Sequence, residues 1–225
     1  MTIDATPLLW PPTFAGAIFD FDGTVADTGS LWHDVDETFL GARGISPVPE
    51  DYSRMLTILG FEAGARYTID TFGLKETVED VCNEWTRMSR ALYRTTIHLR
   101  PGAESYIRAL KKRGIPTALA TTNEPEVLED MELVDVAGLF DVRVYGGELG
   151  TTKDKPDIYL TAAERLGVAP QDCIVFEDIA PGLRAAREVG FITCAVRSYD
   201  PAQLLDDVRD AGELYLEHWR NITLD

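Results

Sequence analysis

The chain has 225 residues, of which 45% are hydrophobic and 26% are charged, a composition typical of a folded globular protein rather than a disordered one. It contains 38 acidic and 21 basic side chains, which gives a formal net charge of −17. Proteins that bind nucleic acid or anionic membranes depend on Lys and Arg to neutralise phosphates. The charge therefore argues against both of these partner classes.

The three cysteines, Cys82, Cys173 and Cys194, are odd in number and widely spaced, so they indicate neither a disulfide framework nor a thiolate metal site. Residues 1–14 lack the basic start of a secretion signal and contain three prolines. We therefore expect a soluble cytoplasmic protein whose residues 1–14 form a flexible lead-in.

The first predicted elements are short apolar segments that alternate with helical patterns. Buried strands are expected at 15–21, 117–121, 141–145, 173–177 and 191–196, with a further short edge strand at 213–216. Helices are expected at 104–113, 125–133, 157–166 and 181–189, where apolar residues recur every three or four positions. This alternation predicts an α/β fold, a doubly wound parallel sheet of the Rossmann-like kind with helices on both faces.

The segment 28–98 interrupts this alternation. It has no strand-like run and shows long helical patterns at 31–40 and 78–93. At roughly 70 residues it is too long for a simple crossover between two strands. We therefore predict a helical cap domain at 28–98, inserted into a core domain that comprises 15–27 and 99–225.

The motif Asp20-Phe21-Asp22-Gly23-Thr24 stands where the first strand ends. Ligands of open α/β sheets bind beyond the C-terminal ends of the strands, so Asp20 and Asp22 are well placed for chemistry. A calcium loop of the EF-hand kind would need acidic residues at Thr24 and Leu31 and is rejected. Taken alone, the motif also fits an exposed Asp-Gly turn.

A second acidic pair, Glu177 and Asp178, ends the fourth predicted strand. A doubly wound sheet can bring the ends of its first and fourth strands together, which would add these carboxylates to those of Asp20 and Asp22. Such a cluster is costly without a cation. Oxygen ligands that leave room for water and a phosphate favour Mg²⁺ over Zn²⁺ or Ca²⁺.

Polar residues also follow the second predicted strand. Thr121, Thr122 and Asn123 offer hydroxyl and amide groups that can hold phosphoryl oxygens, and Lys153 would add a positive charge. Taken singly, Thr121 is better explained as a helix N-cap and Lys153 as a surface charge. The order of the motifs, each at a strand end, is what favours a shared site. Lys155 remains the alternative to Lys153.

Together these residues resemble the four motifs of the haloacid dehalogenase-like phosphohydrolase superfamily. The predicted insertion is similar to the small helical cap of its β-phosphoglucomutase and phosphoglycolate phosphatase branch. The resemblance extends from about residue 16 to residue 216 and includes Arg100-Pro101-Gly102 after the cap. One departure is Asp154, which stands where the family commonly has proline.

The resemblance implies a role for each motif. Asp20 would be the nucleophile that forms an aspartyl-phosphate, and Asp22 the general acid and base. Thr121 would bind the transferring phosphoryl group, and Lys153 would neutralise and orient it. The implied Mg²⁺ ligands are Asp20, the backbone carbonyl of Asp22, and Asp178, with Glu177 assisting. These roles agree with the chemistry, because phosphoryl transfer is catalysed mainly by positioning and charge neutralisation.

Within the superfamily, Asp22 argues against dehalogenases and phosphonate hydrolases, which lack an acid at this position. Sugar phosphate mutases of the β-phosphoglucomutase type resemble the chain in their cap, but they carry arginine where Ala63 stands and histidine where Trp32 stands. We therefore predict a phosphatase that hydrolyses a small organic phosphate monoester, such as a sugar phosphate or a phosphoglycolate-like compound. A mutase is the alternative.

Four residues of the predicted cap are candidates for substrate contact because the cap loop and the first cap helix would face the core: Gly60, Phe61, Glu62 and Trp32. For Trp32 and Phe61, packing inside the cap is an equally good interpretation. A phospho-accepting receiver-type signalling domain is the non-enzymatic alternative, but it would be about half as long and uncapped. Apart from a small phosphate ester, the only partner that we expect is a second copy of the chain, so the protein is either a monomer or a homodimer.

Overall fold

The computed structural model describes residues 3–4, 8–200 and 203–224. Within them the chain forms a sheet of seven strands: β1 (Ile3–Asp4), β2 (Gly16–Phe19), β3 (Thr117–Thr121), β4 (Val142–Tyr145), β5 (Cys173–Glu177), β6 (Ile192–Val196) and β7 (Leu214–Leu216). Their spatial order is β1-β7-β6-β5-β2-β3-β4, and all neighbouring pairs run parallel. The strand order reverses between β2 and β5, so the predicted doubly wound α/β fold is confirmed.

Ten α-helices accompany the sheet in the described residues: α1 (Leu31–Gly41), α2 (Glu50–Phe72), α3 (Val78–Thr95), α4 (Ala103–Lys112), α5 (Pro125–Leu128), α6 (Val136–Leu139), α7 (Gly146–Leu149), α8 (Asp157–Leu166), α9 (Ala180–Glu188) and α10 (Leu205–Ala211). Short 3₁₀ turns lie at Pro170–Asp172 and Trp219–Asn221. None of the described helices has the length and apolar character that a membrane span requires.

Alternating side chains of each strand fill cores on the two faces of the sheet. On one face Phe19 stacks on Phe176 with ring centroids 4.8 Å apart, and Trp219 packs against both rings. On the other face Ile18 packs in a cluster that includes Tyr159 of α8. Both faces of β2 are therefore buried, which explains its continuous apolar sequence.

Helices α1 to α3 follow β2 and precede α4. A capping box begins α3: Asp80 N–H donates to Thr77 Oγ1, and Thr77 N–H donates to the Asp80 carboxylate. Trp85 of α3 packs against the rings of Phe39 and Phe61 and so joins the three helices. Before and after this segment, Ala26 and Leu99 pair in an antiparallel bridge. The division into a cap at 28–98 and a core stays a prediction.

The expectation of a flexible lead-in is wrong for residues 8–14. Leu9 and Phe14 are buried, and the Tyr106 hydroxyl of α4 donates to the Leu9 carbonyl at 3.2 Å. The physical reason is that burying these apolar side chains removes their surface from water, which lowers the free energy of the folded state. Residues 3–4 form β1 beside β7, so the predicted strand at 213–216 is not the edge strand. Residues 1–2 and 5–7 lie outside the described residues.

The structure differs from the sequence pattern at α5 and α2, and it adds the short helices α6, α7 and α10, which had no predicted counterpart. The helix predicted at 125–133 ends at Leu128, and the next residues pair with α3: Arg94 donates to Glu132, whose own N–H donates to the Arg94 carbonyl. Helix α2 had no predicted counterpart because its apolar residues do not form a single stripe. Gly60 also interrupts it, with φ 70° and ψ −164°.

Candidate active site

The two predicted acidic pairs meet where the strand order reverses. Phe19 lies opposite Phe176 in the pairing of β2 with β5, and Asp20 N–H donates to the Phe176 carbonyl at 3.0 Å. The turn after Asp20 is held close to β5 because Gly23 has a φ of 75°, and a Cβ atom there would overlap the Asp178 carboxylate. Glycine at this position therefore allows the acids of β2 and β5 to share one site.

Lys153 is the cation of this site. Its Nζ lies 2.7 Å from Asp20 Oδ1 and 2.5 Å from Glu177 Oε2, and it donates to the Ala120 carbonyl at 3.1 Å. Burial alone would lower the pKa of Lys153, but the carboxylates of Asp20 and Glu177 raise it well above its ordinary value. Lys155, the alternative, is exposed. The structure therefore brings Lys153 to Asp20.

Three carboxylates form a buried cluster beside the lysine. One oxygen from each of Asp20, Glu177 and Asp178 lies within 4.8 Å of the others. Burial and then the charge of Asp20 raise the pKa of Glu177 to about 7, and the same two causes raise the pKa of Asp178 well above its usual range. Both shifts follow from removal of the carboxyl groups from water and from the like charge beside them. Hard oxygen donors in this number fit a divalent cation such as Mg²⁺.

Hydrogen bonds from two further side chains orient the carboxylates of the cluster. The Tyr159 hydroxyl donates to Glu177 Oε2 at 2.9 Å, so this oxygen is shared with Lys153. The Ser198 hydroxyl donates to Asp178 Oδ2 at 2.7 Å. Neither Tyr159 nor Ser198 was a candidate from the sequence. Ser198 follows β6 and could have been found by the same strand-end reasoning, whereas Tyr159 appeared only as a core position of a helix.

The Asp22 carboxylate is held by groups from two parts of the chain. Asn123 Nδ2 donates to Asp22 Oδ2 at 2.9 Å, and the Tyr93 hydroxyl of α3 donates to Asp22 Oδ1. Tyr93 in turn accepts a hydrogen bond from Trp32 Nε1 at 3.0 Å. Burial, followed by the nearby charge of Asp20, raises the pKa of Asp22. Tyr93 was not a candidate, because in the sequence it reads as an apolar position of a helix.

Thr122 and Asn123, which follow β3, line a cavity beside this site, whereas Thr121, the last residue of β3, does not. Thr121 is buried, and its hydroxyl accepts from Asn123 N–H at 3.1 Å, while the N-cap of α5 is Glu124 rather than Thr121. The interpretation of Thr121 as a helix N-cap is therefore wrong. Thr122 touches the helical segment, since a Cβ atom on Gly60 would lie 2.8 Å from Thr122 Cβ. Gly60 thus permits α2 to approach the end of β3.

A cavity of about 350 Å³ lies between the strand ends and helices α1 and α2. The predicted site residues on its wall are Asp20, Asp22, Trp32, Gly60, Phe61, Thr122, Asn123, Lys153, Glu177 and Asp178. Trp32 and Phe61 also pack edge to face, with ring centroids 5.6 Å apart, so both interpretations of these two residues apply.

Glu62 is a correction to the sequence prediction. Its side chain is 72% exposed, pairs with Arg66 at 3.1 Å and does not line the cavity. The reason is geometric: on a helix, neighbours in sequence point about 100° apart, so Phe61 faces inward while Glu62 faces water. Glu62 is therefore removed from the candidate substrate contacts.

Comparison with known proteins places these features in a family. Residues 14–190 match the family model described as haloacid dehalogenase-like hydrolase. A phosphorylated carbohydrates phosphatase of Thermotoga maritima is 30% identical over 77% of this chain and 80% of its own. Hexitol phosphatase A of Escherichia coli is 27% identical, with 93% of each chain covered. The crystal structure of CbbY from Rhodobacter sphaeroides in complex with phosphate is similar, with a TM-score of 0.78, 25% identity, and 92% and 95% of the two chains covered.

Proposed function

Because the chain belongs to the haloacid dehalogenase-like hydrolases, we propose that it hydrolyses a small organic phosphate monoester with Asp20 as the nucleophile and Mg²⁺ as the bound cation. Membership of the family confirms the resemblance stated from the sequence and, with phosphatases among its relatives, the class of phosphoric monoester hydrolase. The substrate, the intermediate and the identity of the metal belong to the proposal.

The observation that carries the proposal is the contact of Lys153 with Asp20 inside a buried carboxylate cluster, on the wall of a cavity large enough for a small ester. An Asp20 carboxylate oxygen attacks phosphorus, a bond from Asp20 to phosphorus forms, and the bond from phosphorus to the leaving oxygen breaks. Water then attacks the same phosphorus, releases inorganic phosphate and restores the carboxylate. The phosphoryl group passes from the ester to Asp20 and then to water, and the two steps need no reactant besides the ester and water.

Asp22 moves the proton in each half of this reaction. It gives its proton to the leaving alkoxide and then takes one from the attacking water. Its hydrogen bonds to Asn123 and Tyr93 fix the orientation of the carboxyl group. Lys153 neutralises the phosphoryl oxygens from one side, and the hydroxyl of Thr121 contributes a hydrogen bond to them.

The residues that would hold Mg²⁺ are Asp20, Asp178 and the backbone carbonyl of Asp22, with Glu177 assisting. The cation would offset the charge of the clustered carboxylates and polarise the phosphoryl group. The closeness of the carboxylates supports this assignment, because one oxygen from each of Asp20, Glu177 and Asp178 lies within 4.8 Å of the others and like charges at this distance repel. Tyr159 and Ser198 would keep these carboxylates in place when the cation binds.

In this proposal the helices at 28–98 act as a cap that closes over the ester and excludes water from the first step. Two contacts support that role. The Ile58 carbonyl of α2 accepts from Lys153 N–H at 3.0 Å, and Gly60 packs against Thr122. The helical segment therefore touches the backbone of two motifs. A cytoplasmic location and a monomeric or homodimeric state stay predictions.

The test is phosphate release from a panel of phosphomonoesters by the wild-type protein and by Asp20→Asn. Loss of the nucleophile should reduce turnover by on the order of 10⁴-fold, and chelation should abolish wild-type turnover until Mg²⁺ is returned. Asp27→Asn, an exposed acid of the same loop, is the matched control and should stay active. Turnover that survives in Asp20→Asn would contradict the mechanism, and an isomerised sugar phosphate without free phosphate would favour the mutase.

A further inference from the structure

Arg100 is a buried cation that the proposed mechanism does not use. It is 5% exposed and lies at the end of the helical segment, directly after Leu99, which pairs with Ala26. Its backbone N–H donates to the Val25 carbonyl at 2.7 Å. Removing a guanidinium from water is costly unless other hydrogen bonds replace those to water, so the partners of Arg100 indicate its role.

The Arg100 side chain joins two segments that are far apart in the sequence. Its Nη1 donates to the Gly23 carbonyl at 2.6 Å and to the Arg197 carbonyl at 2.9 Å, with a longer contact to the Thr24 carbonyl at 3.4 Å. Gly23 and Thr24 belong to the turn that follows β2, whereas Arg197 directly follows β6. Hydrogen bonds from a charged donor are stronger than neutral ones, so Arg100 fixes the separation of these two segments.

Each of the two segments holds one oxygen of the Asp178 carboxylate. The Thr24 hydroxyl donates to Asp178 Oδ1 at 3.4 Å, and the Ser198 hydroxyl donates to Asp178 Oδ2 at 2.7 Å. Gly23 packs against the same carboxylate, since a Cβ atom there would lie 2.1 Å from Asp178 Oδ2. The separation that Arg100 fixes therefore determines where the Asp178 carboxylate lies.

The positive charge of Arg100 by itself would oppose the binding of a cation at this site. Burial lowers the pKa of Arg100 and the charge of Asp178 opposes that shift, so the guanidinium and the carboxylate interact electrostatically. A positive charge near a bound cation repels it, whereas hydrogen bonds that orient the ligands of a cation strengthen its binding. These two effects have opposite signs, so a titration with the metal distinguishes them.

From these contacts we infer that Arg100 is a positioning residue of the metal site, which keeps Asp178 in place for the cation by joining the turn after β2 to the segment after β6. The inference rests on the proposed function, because the cation belongs to that proposal. Arg100 is not part of the cavity wall, so it acts on the cation rather than on the ester. Lysine is not equivalent, since its stem is one bond shorter and it lacks the planar group that packs on the Tyr199 ring, with Arg100 Cζ 4.8 Å from the ring centroid.

The test is the binding of Mg²⁺ alone, measured by isothermal titration calorimetry on the wild type and on Arg100→Met. Loss of a group that orients a metal ligand weakens metal binding by about 10- to 100-fold, so the Kd for Mg²⁺ should rise by at least about tenfold. The Kd of Arg100→Lys should lie between these two values. Arg113→Met is the control, because Arg113 is exposed and its guanidinium packs on the ring of Trp10. It should keep the wild-type Kd.

Steady-state kinetics add a readout that a merely structural role would not move. Phosphate release by Arg100→Met should need a higher Mg²⁺ concentration to reach its half-maximal rate, and saturating Mg²⁺ should return kcat to near the wild-type value. The KM for the ester at saturating Mg²⁺ should not change, because Arg100 lies outside the cavity wall. A kcat that stays low at saturating Mg²⁺, with an unchanged Kd, would show that Arg100 only supports the fold.

The outcomes separate this inference from the proposed function. Equal or tighter binding of Mg²⁺ by Arg100→Met, while the wild type releases phosphate, overturns the inference alone. A wild type that binds Mg²⁺ but releases phosphate from no ester contradicts the proposed function, and the Kd values still decide the role of Arg100. A wild type that binds no Mg²⁺ overturns both. If Arg100→Met does not fold, Arg100→Lys takes its place, and a Kd equal to that of the wild type overturns the inference.

Discussion

The floor and the roof of the cavity are built from different elements, and they differ in how completely their polar groups are satisfied. The floor lies at the strand ends, where Lys153 bonds to Asp20 and Glu177, and Ser198 bonds to Asp178. The roof comes from α1, α2 and α3, and Asp36 of α1 has no hydrogen-bond partner among the described residues. A phosphoryl group is common to all the proposed substrates, so the floor can be preorganised for it. The roof faces the same cavity, and Trp32 and Phe61 give it an apolar surface.

The largest expected effect concerns the floor. Lys153→Met removes the buried cation and leaves two carboxylates uncompensated, so the free energy of unfolding should fall by about 3–5 kcal/mol. We expect kcat/KM to fall by about 10²–10³-fold as well. Chemical denaturation and steady-state kinetics measure the two losses. Bound cation should offset part of the loss in stability, since it supplies the missing positive charge.

Lys155→Met is the matched variant for this experiment. Lys155 is exposed two positions away, so its replacement should change the free energy of unfolding by no more than about 0.5 kcal/mol. Together, Lys153→Met and Lys155→Met also decide which of the two lysines acts at the site, a choice that the sequence left open. An inactive Lys155→Met beside an active Lys153→Met would transfer the role to Lys155 and contradict the floor described above.

An intermediate effect is expected at the hydrogen bonds that join roof and floor. Tyr93→Phe removes the donor to Asp22 and leaves Trp32 Nε1 without its acceptor. A hydrogen bond to a charged group is worth about 1.5–3 kcal/mol, so we expect kcat to fall about 10- to 100-fold. KM should change little because Tyr93 positions Asp22 and is not part of the cavity wall.

The control for this expected loss of kcat without a change in KM is Tyr67→Phe on α2. The Tyr67 hydroxyl forms no hydrogen bond with another described residue. It should leave both kinetic constants close to their wild-type values. If Tyr93→Phe raises KM and leaves kcat unchanged, Tyr93 acts on substrate binding, and the connection from the helical segment to Asp22 has no catalytic role.

Per pH unit, the smallest effect is the pH dependence of stability caused by Asp36. Its pKa is raised from the ordinary 3.8 to about 7 by burial and by Asp200. Between these values the folded protein binds more protons than the unfolded chain, so this group makes stability fall as pH rises. Asp36→Asn lacks the effect. As the pH rises from 3.8 to about 7, the free energy of unfolding of Asp36→Asn should therefore increase relative to that of the wild type, by up to about 1.4 kcal/mol per pH unit.

Thermal unfolding of wild type and Asp36→Asn at a series of pH values measures this slope. Tyr52 of α2 also feels the charge of Asp36, and His33 and Glu50 are the other titratable groups on the helical wall. Asp34→Asn on the exposed side of α1 is the control. A difference between wild type and Asp36→Asn that is flat from about pH 4 to about pH 7 would show that Asp36 is already charged in the folded state.

Most of the floor could be predicted from the sequence because a parallel sheet collects strand ends at one edge. Asp20, Glu177 and Asp178 each end an apolar strand, and the reversal of strand order between β2 and β5 was enough to join them. Lys153 was found as a motif, although its spacing alone left Lys155 open. Ser198 obeys the same rule and was overlooked because the chain beyond the last long strand received no functional interpretation.

The roof was predicted less well because helical side chains reach the site only through tertiary packing. Phe61 and Trp32 line the cavity as predicted, but Glu62, which is adjacent to Phe61, points into solvent. Tyr93 and Asp36 gave no local signal. Tyr93 shares the periodicity of core residues, and Asp36 resembles any acid of a surface helix until the fold buries it.

The sequence by itself determined the α/β fold, the order of the motifs and the class of chemistry. It did so because the spacing of apolar residues identifies strands and helices, and because a parallel sheet brings the acids at its strand ends to one edge. Only the tertiary structure decided which lysine meets Asp20, which side chains hold Asp22, and that Asp36, a buried acid, lines the cavity. These depend on the angle and depth at which α1 to α3 pack on the strand ends, and contacts between residues far apart in the chain determine that packing.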